Sequence, residues 1–394
     1  MSFFRAARAA LVGQSGLLRI PVAVIVIVLL AGFSLSCGSS SKAKTGPSHN
    51  AYVTLPAKGS VLLLHINGAN GVITLGPATP QVQNTSPTGL ALLPSKKFLY
   101  AVNSRANSIS IFNVAGDGSL TLTGTPTPTS GSSPNAAVID PSGAYLLVTN
   151  NLTDNISVYS IDAGSGALSE VAGSPFPANA NPTSIVFTHS GKFVYVTNPG
   201  IGMVTGFSFT NGVLSLVPNS PIFSGAGAAA LAVDGSDSLL YVANPAAINT
   251  LVSSVGNISG FDIDPNTGEL TPILGSPFTS TVGTGPSAIT VDPSGRFVYA
   301  TTPGSSFSIW CFTINPTKGQ TFGQLTAVTN SPFSLTAGGQ FALIDPSGNY
   351  FYIGNQAGNG VSGYTYNSST GAPTVITGSP FSTGVAPGAM VLSE

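Results

Sequence analysis

Charge is what this 394-residue chain has least of: Asp, Glu, Lys and Arg together make up 6% of it, against 42% hydrophobic residues. Its 12 basic residues are scattered rather than clustered, so there is no basic stripe to follow a phosphate backbone, and nucleic acid is excluded as a partner. Cysteine is equally scarce, with only Cys37 and Cys311, too few for a disulfide framework. Histidine occurs three times, and no segment beyond residue 50 sustains a helical period, which excludes helical and α/β architectures. Glycine and proline, by contrast, are plentiful at 47 and 30 residues. Such amounts ordinarily signal disorder, but here they fall at periodic turn positions.

The period is set by a strand, a tight Asp-Pro-Ser-Gly turn, and a second strand ending near Tyr-Val-x-Asn. Its clearest turns are Asp140-Pro141-Ser142-Gly143, Asp292-Pro293-Ser294-Gly295 and Asp345-Pro346-Ser347-Gly348. Degenerate copies stand at Leu93-Pro94-Ser95-Lys96, Thr188-His189-Ser190-Gly191 and Asp234-Gly235-Ser236-Asp237. Taking Tyr52, Tyr100, Leu147, Tyr195, Tyr241, Tyr299 and Tyr352 as one register gives steps of 48, 47, 48, 46, 58 and 53 residues. These steps are the length of a β-propeller blade. Pro presets the backbone angle at the first turn corner, Asp bonds amides further on, and Gly accepts a positive φ.

Each repeat resolves into four strands. In the second full repeat, Ala136–Ile139 is a short apolar run, as an innermost strand buried on both faces requires. Residues 144–150 and the alternating 156–161 follow as second and third strands, and 168–171 as a short outer strand. The repeat closes on Gly173-Ser174-Pro175-Phe176, a motif that recurs at 275–278, 330–333 and 378–381. There the Pro ends the edge strand and the Phe is expected to pack between blades.

The two ends are incomplete in complementary ways. The chain stops after one inner strand, 387–393, while Tyr52-Val53-Thr54, 60–66 and 71–75 supply a second, third and fourth. Together they form one composite blade. The sequence therefore predicts an all-β, seven-bladed β-propeller with four antiparallel strands per blade, closed by strands from both termini.

Residues 1–50 stand apart. Arg5, Arg8 and Arg19 flank an apolar stretch over 20–35, followed by small residues and the polar run from Gly38, which is the pattern of an export signal. Ser34-Leu35-Ser36-Cys37 resembles the lipobox of bacterial lipoproteins, with Ser34 where Leu is usual. That resemblance implies lipidation at Cys37; ordinary secretion or an uncleaved anchor are the alternatives. The expected organisation is a signal peptide over 1–36, a flexible tether over 37–50 and the propeller over 51–394, at the bacterial cell envelope. Loss of three arginines with the signal leaves a net charge of about −4, which specifies no partner. With Cys37 lipidated, Cys311 has no partner and is read as a packing residue.

The repeats resemble the seven-bladed lactonase family that includes bacterial phosphogluconolactonase, and also the surface propellers named for their Tyr-Val-Thr-Asn repeat. Tyr195-Val196-Thr197-Asn198 carries the second likeness; Phe98–Asn103 and Thr267-Gly268-Glu269-Leu270 carry the first. The lactonase resemblance implies a charged pocket at one mouth of the ring, because opening a lactone needs a base for water and donors for the oxyanion. Here the matching positions are mostly neutral: Pro134-Asn135 stands where the family has Pro-His, and Asn181-Pro182 where it has Arg-Pro. Of the family's acidic loop, Asp154 remains, and Arg105 is the basic residue placed to assist it.

The other titratable groups read as structural. His49 falls in the tether, His65 in a third strand and His189 in a turn; Asp262-Ile263-Asp264-Pro265-Asn266 reads as a hairpin, with a calcium loop as its alternative. No cofactor or metal is expected. The residues expected at the ligand mouth are the amides Asn103, Asn150, Asn198, Asn244 and Asn355, which end second strands, with Thr302 in the fifth full repeat. Such a mouth suits a glycan or peptide better than a phosphorylated lactone, which calls for Arg or Lys. Three classes stay open: a monomeric propeller binding a glycan, peptide or envelope protein, a lactone hydrolase using Asp154 and Arg105, or a purely structural envelope ring. An insertion at 245–257 accounts for the 58-residue step and is expected to shape a binding face.

Overall fold

A computed structural model describes residues 48–80, 85–245, 256–279, 285–303, 308–335 and 338–393. The chain separates into two units, residues 1–42 and 43–394, and all described residues lie in the second. The insertion expected at 245–257 falls mostly outside the described residues.

Seven antiparallel sheets are present among the described residues, each with a four-strand path; six run in simple sequence order and the seventh joins the last strand of the chain to the first three. We number the complete blades I to VI along the chain, beginning at residues 87, 134, 185, 230, 288 and 339, and call the composite the closing blade. In blade II the strands are Pro134–Ile139, Tyr145–Asn150, Asn155–Ile161 and Leu168–Glu170, matching the pattern read from sequence. The closing blade is made of His49–Leu55, Ser60–Ile66 and Ile73–Ala78, with Met390–Ser393 paired antiparallel to the first of these. Thr54 reinforces that seam, since the amide of Ala389 donates to its hydroxyl at 2.8 Å and its own amide donates to the Ala389 carbonyl at 2.8 Å. The propeller therefore starts at His49 rather than at 51. His49 is no tether residue: its Nε2 lies 2.6 Å from Oδ2 of the buried Asp345 in blade VI.

The Asp turns work as the sequence suggests. Asp292 accepts the amides of Arg296 and Phe297 on Oδ1, at 2.7 and 2.6 Å, and the Ser294 hydroxyl on Oδ2. Asp140 and Asp234 repeat this arrangement. In the degenerate turn of blade III, where Thr188 replaces Asp, the neighbouring blade intervenes. Asp237 accepts the amides of His189 and Ser190 at 2.6 and 2.7 Å.

The recurring tyrosines hold blade to blade. Tyr52, Tyr100, Tyr195, Tyr241, Tyr299 and Tyr352 are fully buried. Each donates its hydroxyl to a glycine carbonyl in the third-to-fourth-strand hairpin of the next blade: Gly118, Gly166, Gly268, Gly323, Gly371 and Gly71, at 2.7–3.0 Å. At these hairpins glycine is needed for two reasons, as Gly268 illustrates: its φ is +73°, and a Cβ there would lie 2.4 Å from the Phe193 ring. The register residue of blade II is Leu147, so the junction from II to III has no such bond; Tyr145 packs against Gly212 instead. Each latch contributes about 1 kcal/mol.

The Ser-Pro-Phe motif ends the outer strand and returns the chain to the mouth. Where the fourth strand departs, the Ser hydroxyl takes over as acceptor for a third-strand amide, as in Val158 to Ser174, Gly206 to Ser220 and Gly363 to Ser379, at 2.8–3.0 Å. The residue after Pro then pairs with the start of the third strand, as Phe176 does with Ile156. Phe176 and Phe381 pack against the clusters between blades, as expected.

Candidate functional site: the mouth of the ring

The strand directions give the ring two distinct faces. Asp turns and third-to-fourth-strand hairpins form one, here called the turn face. Inner strands begin, and second strands end, on the other. At the centre of this mouth face lies a cavity of about 380 Å³, lined by the first residues of the inner strands of every blade and by Pro56. Its polar side chains are Thr88, Asn135, Thr183, Ser184, Ser287 and Gln340, interspersed with alanines such as Ala136, Ala229 and Ala288. Among the described residues no charged side chain lines it.

Many of the polar hydrogens here are turned sideways onto the next blade. Thr88 donates to the Pro134 carbonyl at 3.3 Å, Asn135 Nδ2 to the Thr183 carbonyl at 3.1 Å, and Ser287 to the Gly339 carbonyl at 3.0 Å. Thr183 shares a hydrogen bond with Thr197 at 3.0 Å. The inner ring is thus stitched together by the same side chains that face the cavity.

The amides expected at the mouth lie elsewhere. Asn103, Asn150, Asn198, Asn244 and Asn355 are at most 2% exposed, and none of them lines the axial cavity. Their side chains bond within the fold: Asn103 to Ser108 and Ser110, Asn150 to Asn155 and Ser157, Asn198 to the carbonyls of Ala178 and Ala180, Asn244 to Asn257 and Ser259, and Asn355 to Ser362. Thr302 is buried likewise and bonds Ser308. Strand parity explains this. Asn150 shares a sheet face with Leu146 and Val148, which pack against blade I, so it points between blades and not toward the axis. Gly131 covers it closely enough that a Cβ would come 2.3 Å from its Cγ.

Asp154 and Arg105 occupy second-to-third-strand loops of neighbouring blades, and both are exposed. Asp154, in the left-handed region at φ 55°, accepts the Asn181 amide at 2.8 Å and so ties its loop to the connection entering blade III. Among the described residues no ion pair joins it to Arg105. Neither histidine of the remaining pair approaches this mouth: His65 bonds Asn50 at 2.8 Å, and His189 meets Asp237 on the turn face. Asp264 accepts the amides of Asn266 and Thr267, both at 2.8 Å, which makes 262–266 part of a hairpin. No group of ligating side chains able to hold a metal occurs among the described residues. Cys311 is buried against the Gly371 carbonyl; burial pushes its thiol up to about 12, opposed by a hydrogen bond with Tyr299 and aided by Asp292. Cys37 lies outside the described residues.

A family model for the seven-bladed β-propeller lactonases matches residues 48–179 and 255–385. The chain belongs to that family. Several solved structures share the fold of this lactonase-family propeller. A candidate 6-phosphogluconolactonase from Bacteroides uniformis gives a TM-score of 0.73 at 19% identity, over 88% of this chain and 100% of its own. The periplasmic gluconolactonase of Pseudomonas aeruginosa gives 0.70 at 17% identity, over 88% and 99%. No curated protein matches significantly. At these identities the likeness is one of fold, and it leaves the chemistry to be read from the lactonase-family propeller itself.

Sequence reasoning missed Thr88, Ser287 and Gln340, which line the cavity. Their signal was positional: Thr88 and Ser287, like Asn135, directly follow the proline that opens an inner strand.

Proposed function

We propose that this chain is an exported, lipid-anchored member of the lactonase family that binds a ligand at the mouth of its ring instead of hydrolysing one. The observation that supports this most is the axial cavity, which has the size of a small-ligand site and no charged lining residue. Hydrolysis calls for a base able to activate water, and the described residues lining the cavity include no carboxylate or histidine to serve as one. The lipobox-like segment ending at Cys37 supports delivery to the cell envelope. A Cys37→Ala change is expected to abolish incorporation of labelled fatty acid; unchanged labelling would remove the anchor.

A second reading rests on family membership: Asp154 as base and Arg105 as cation could open a sugar or acyl lactone in the loops above blades I and II. Hydrolysis of a lactone panel by the full chain separates the two. No turnover supports binding, whereas turnover that disappears in Asp154→Asn would establish a hydrolase.

A further inference from the structure

Resting on the proposal that the mouth is the binding site, we infer that its ligand is a neutral polyhydroxylated chain, a glycan lacking phosphate, sulfate and carboxylate, and that Asn135, Ser287 and Gln340 set this preference. The argument is a count of donors and acceptors. With Thr88, Asn135 and Ser287 each committing a hydrogen to a neighbouring blade's carbonyl, what they present to the cavity is mainly acceptor capacity: hydroxyl lone pairs and the Asn135 Oδ1. The remaining side-chain donors are neutral and few, chiefly the second Nδ2 hydrogen of Asn135, the exposed Gln340 amide and the Ser184 hydroxyl.

An anion entering such a site would lose its hydration and meet mostly lone pairs, with no guanidinium or ammonium to replace water. A sugar hydroxyl suits it, because each one donates to an acceptor and rotates to accept from Gln340 or Ser184 in turn. Geometry points the same way. The acceptors are arranged around a circle by successive blades, as the hydroxyls of a pyranose are arranged around its ring. A peptide instead offers one donor and one acceptor per residue along a line. The alanine methyls between the polar positions supply apolar patches for sugar C–H faces.

The test is an array displaying the same oligosaccharides in neutral and in sulfated or sialylated form, probed with the full chain in mild detergent. Calorimetry on the strongest hit then follows, with Gln340→Arg and Ala137→Trp compared against the unchanged chain after circular dichroism has verified folding. Binding confined to neutral chains is expected. Gln340→Arg should shift the ratio of neutral to anionic affinity at least tenfold toward the anion, and Ala137→Trp, at a residue that both lines the cavity and packs against blade I, should abolish binding. Preference for the anionic forms would overturn the ligand class while leaving the mouth as the site. Neutral binding that survives Ala137→Trp, in a variant shown to fold, would move the site and overturn the mouth reading itself. Should the tryptophan variant not fold, an unchanged ratio in Gln340→Arg overturns the inference. Absence of any hit overturns both.

Discussion

On the turn face, Asp140, Asp234, Asp292 and Asp345 are buried and direct their carboxylate oxygens to amides, hydroxyls or His49. Two of the cations there are engaged as well: Arg296 bonds Ser294 and lies over Phe297, while Lys318 lies 3.9 Å from the centre of the Phe322 ring. On the mouth face the charged side chains among the described loops are Lys58, Arg105 and Asp154, all exposed, around a neutral centre. The same fold thus keeps its charge where turns need it and withholds it where a ligand would enter. Turn chemistry accounts for the family's shape, and what the propeller does is decided separately, by the residues around its mouth.

The largest test of this contrast removes the ring that carries both faces. Deleting residues 387–394 takes away the strand paired with 50–53, and loss of a single cooperative unfolding transition in denaturant is expected. Next, Asp292→Ala should cost about 3 kcal/mol, because it strands the buried Phe297 amide, the partly buried Arg296 amide and a hydroxyl. Arg105→Ala on the opposite face should stay within about 0.5 kcal/mol. Comparable losses at the two positions, measured by urea titration, would dissolve the distinction.

Smaller effects sharpen it. Tyr241→Phe leaves the Gly323 carbonyl without its hydroxyl donor and should cost about 1–2 kcal/mol. At the II–III junction Leu147 already lacks that bond, so no equivalent loss is available there. Acid should loosen the turn face first. Burial alone would raise the Asp345 carboxyl, but hydrogen bonds from His49 and Ser347 win and hold it below its ordinary value of 3.8. A depressed folded value means its contribution is complete above about pH 4 and disappears as pH falls through the folded value. Asp345→Asn should therefore flatten the stability-versus-pH curve below pH 4 while leaving ligand binding at pH 7 unaltered; an unchanged slope would show that the seam does not govern acid unfolding.

Sequence revealed the fold because the devices that make a blade are local. An Asp four or five residues before the amides it caps, a glycine at positive φ, and a Ser-Pro pair at a strand end can all be recognised without knowing what packs where. The mouth was less legible because its composition depends on which way side chains face. Asn150 ends a second strand at the correct height, yet its parity with Val148 turns it into the blade junction. Counting back from the buried tyrosine register would have indicated this, since sheet faces in a propeller pack against neighbouring blades and only the inner strands border the axis. The acceptor role of Ser174 was also hidden, because the amide it serves belongs to another strand, 16 residues away.

The closing seam also orders events in time. Val53 pairs with Met390, so the closing blade stays unfinished until Met390 has been synthesised, more than 300 residues after its partner and on the order of 20 to 70 s later at typical elongation rates. Until then the growing chain holds an open arc whose outermost blade lacks its inner strand. A chain stopped a few residues early would never leave that state. The final strand is thus a completeness check, in which the ring becomes a native fold only when residues 390–393 reach the strand that has waited for them since residues 50–53.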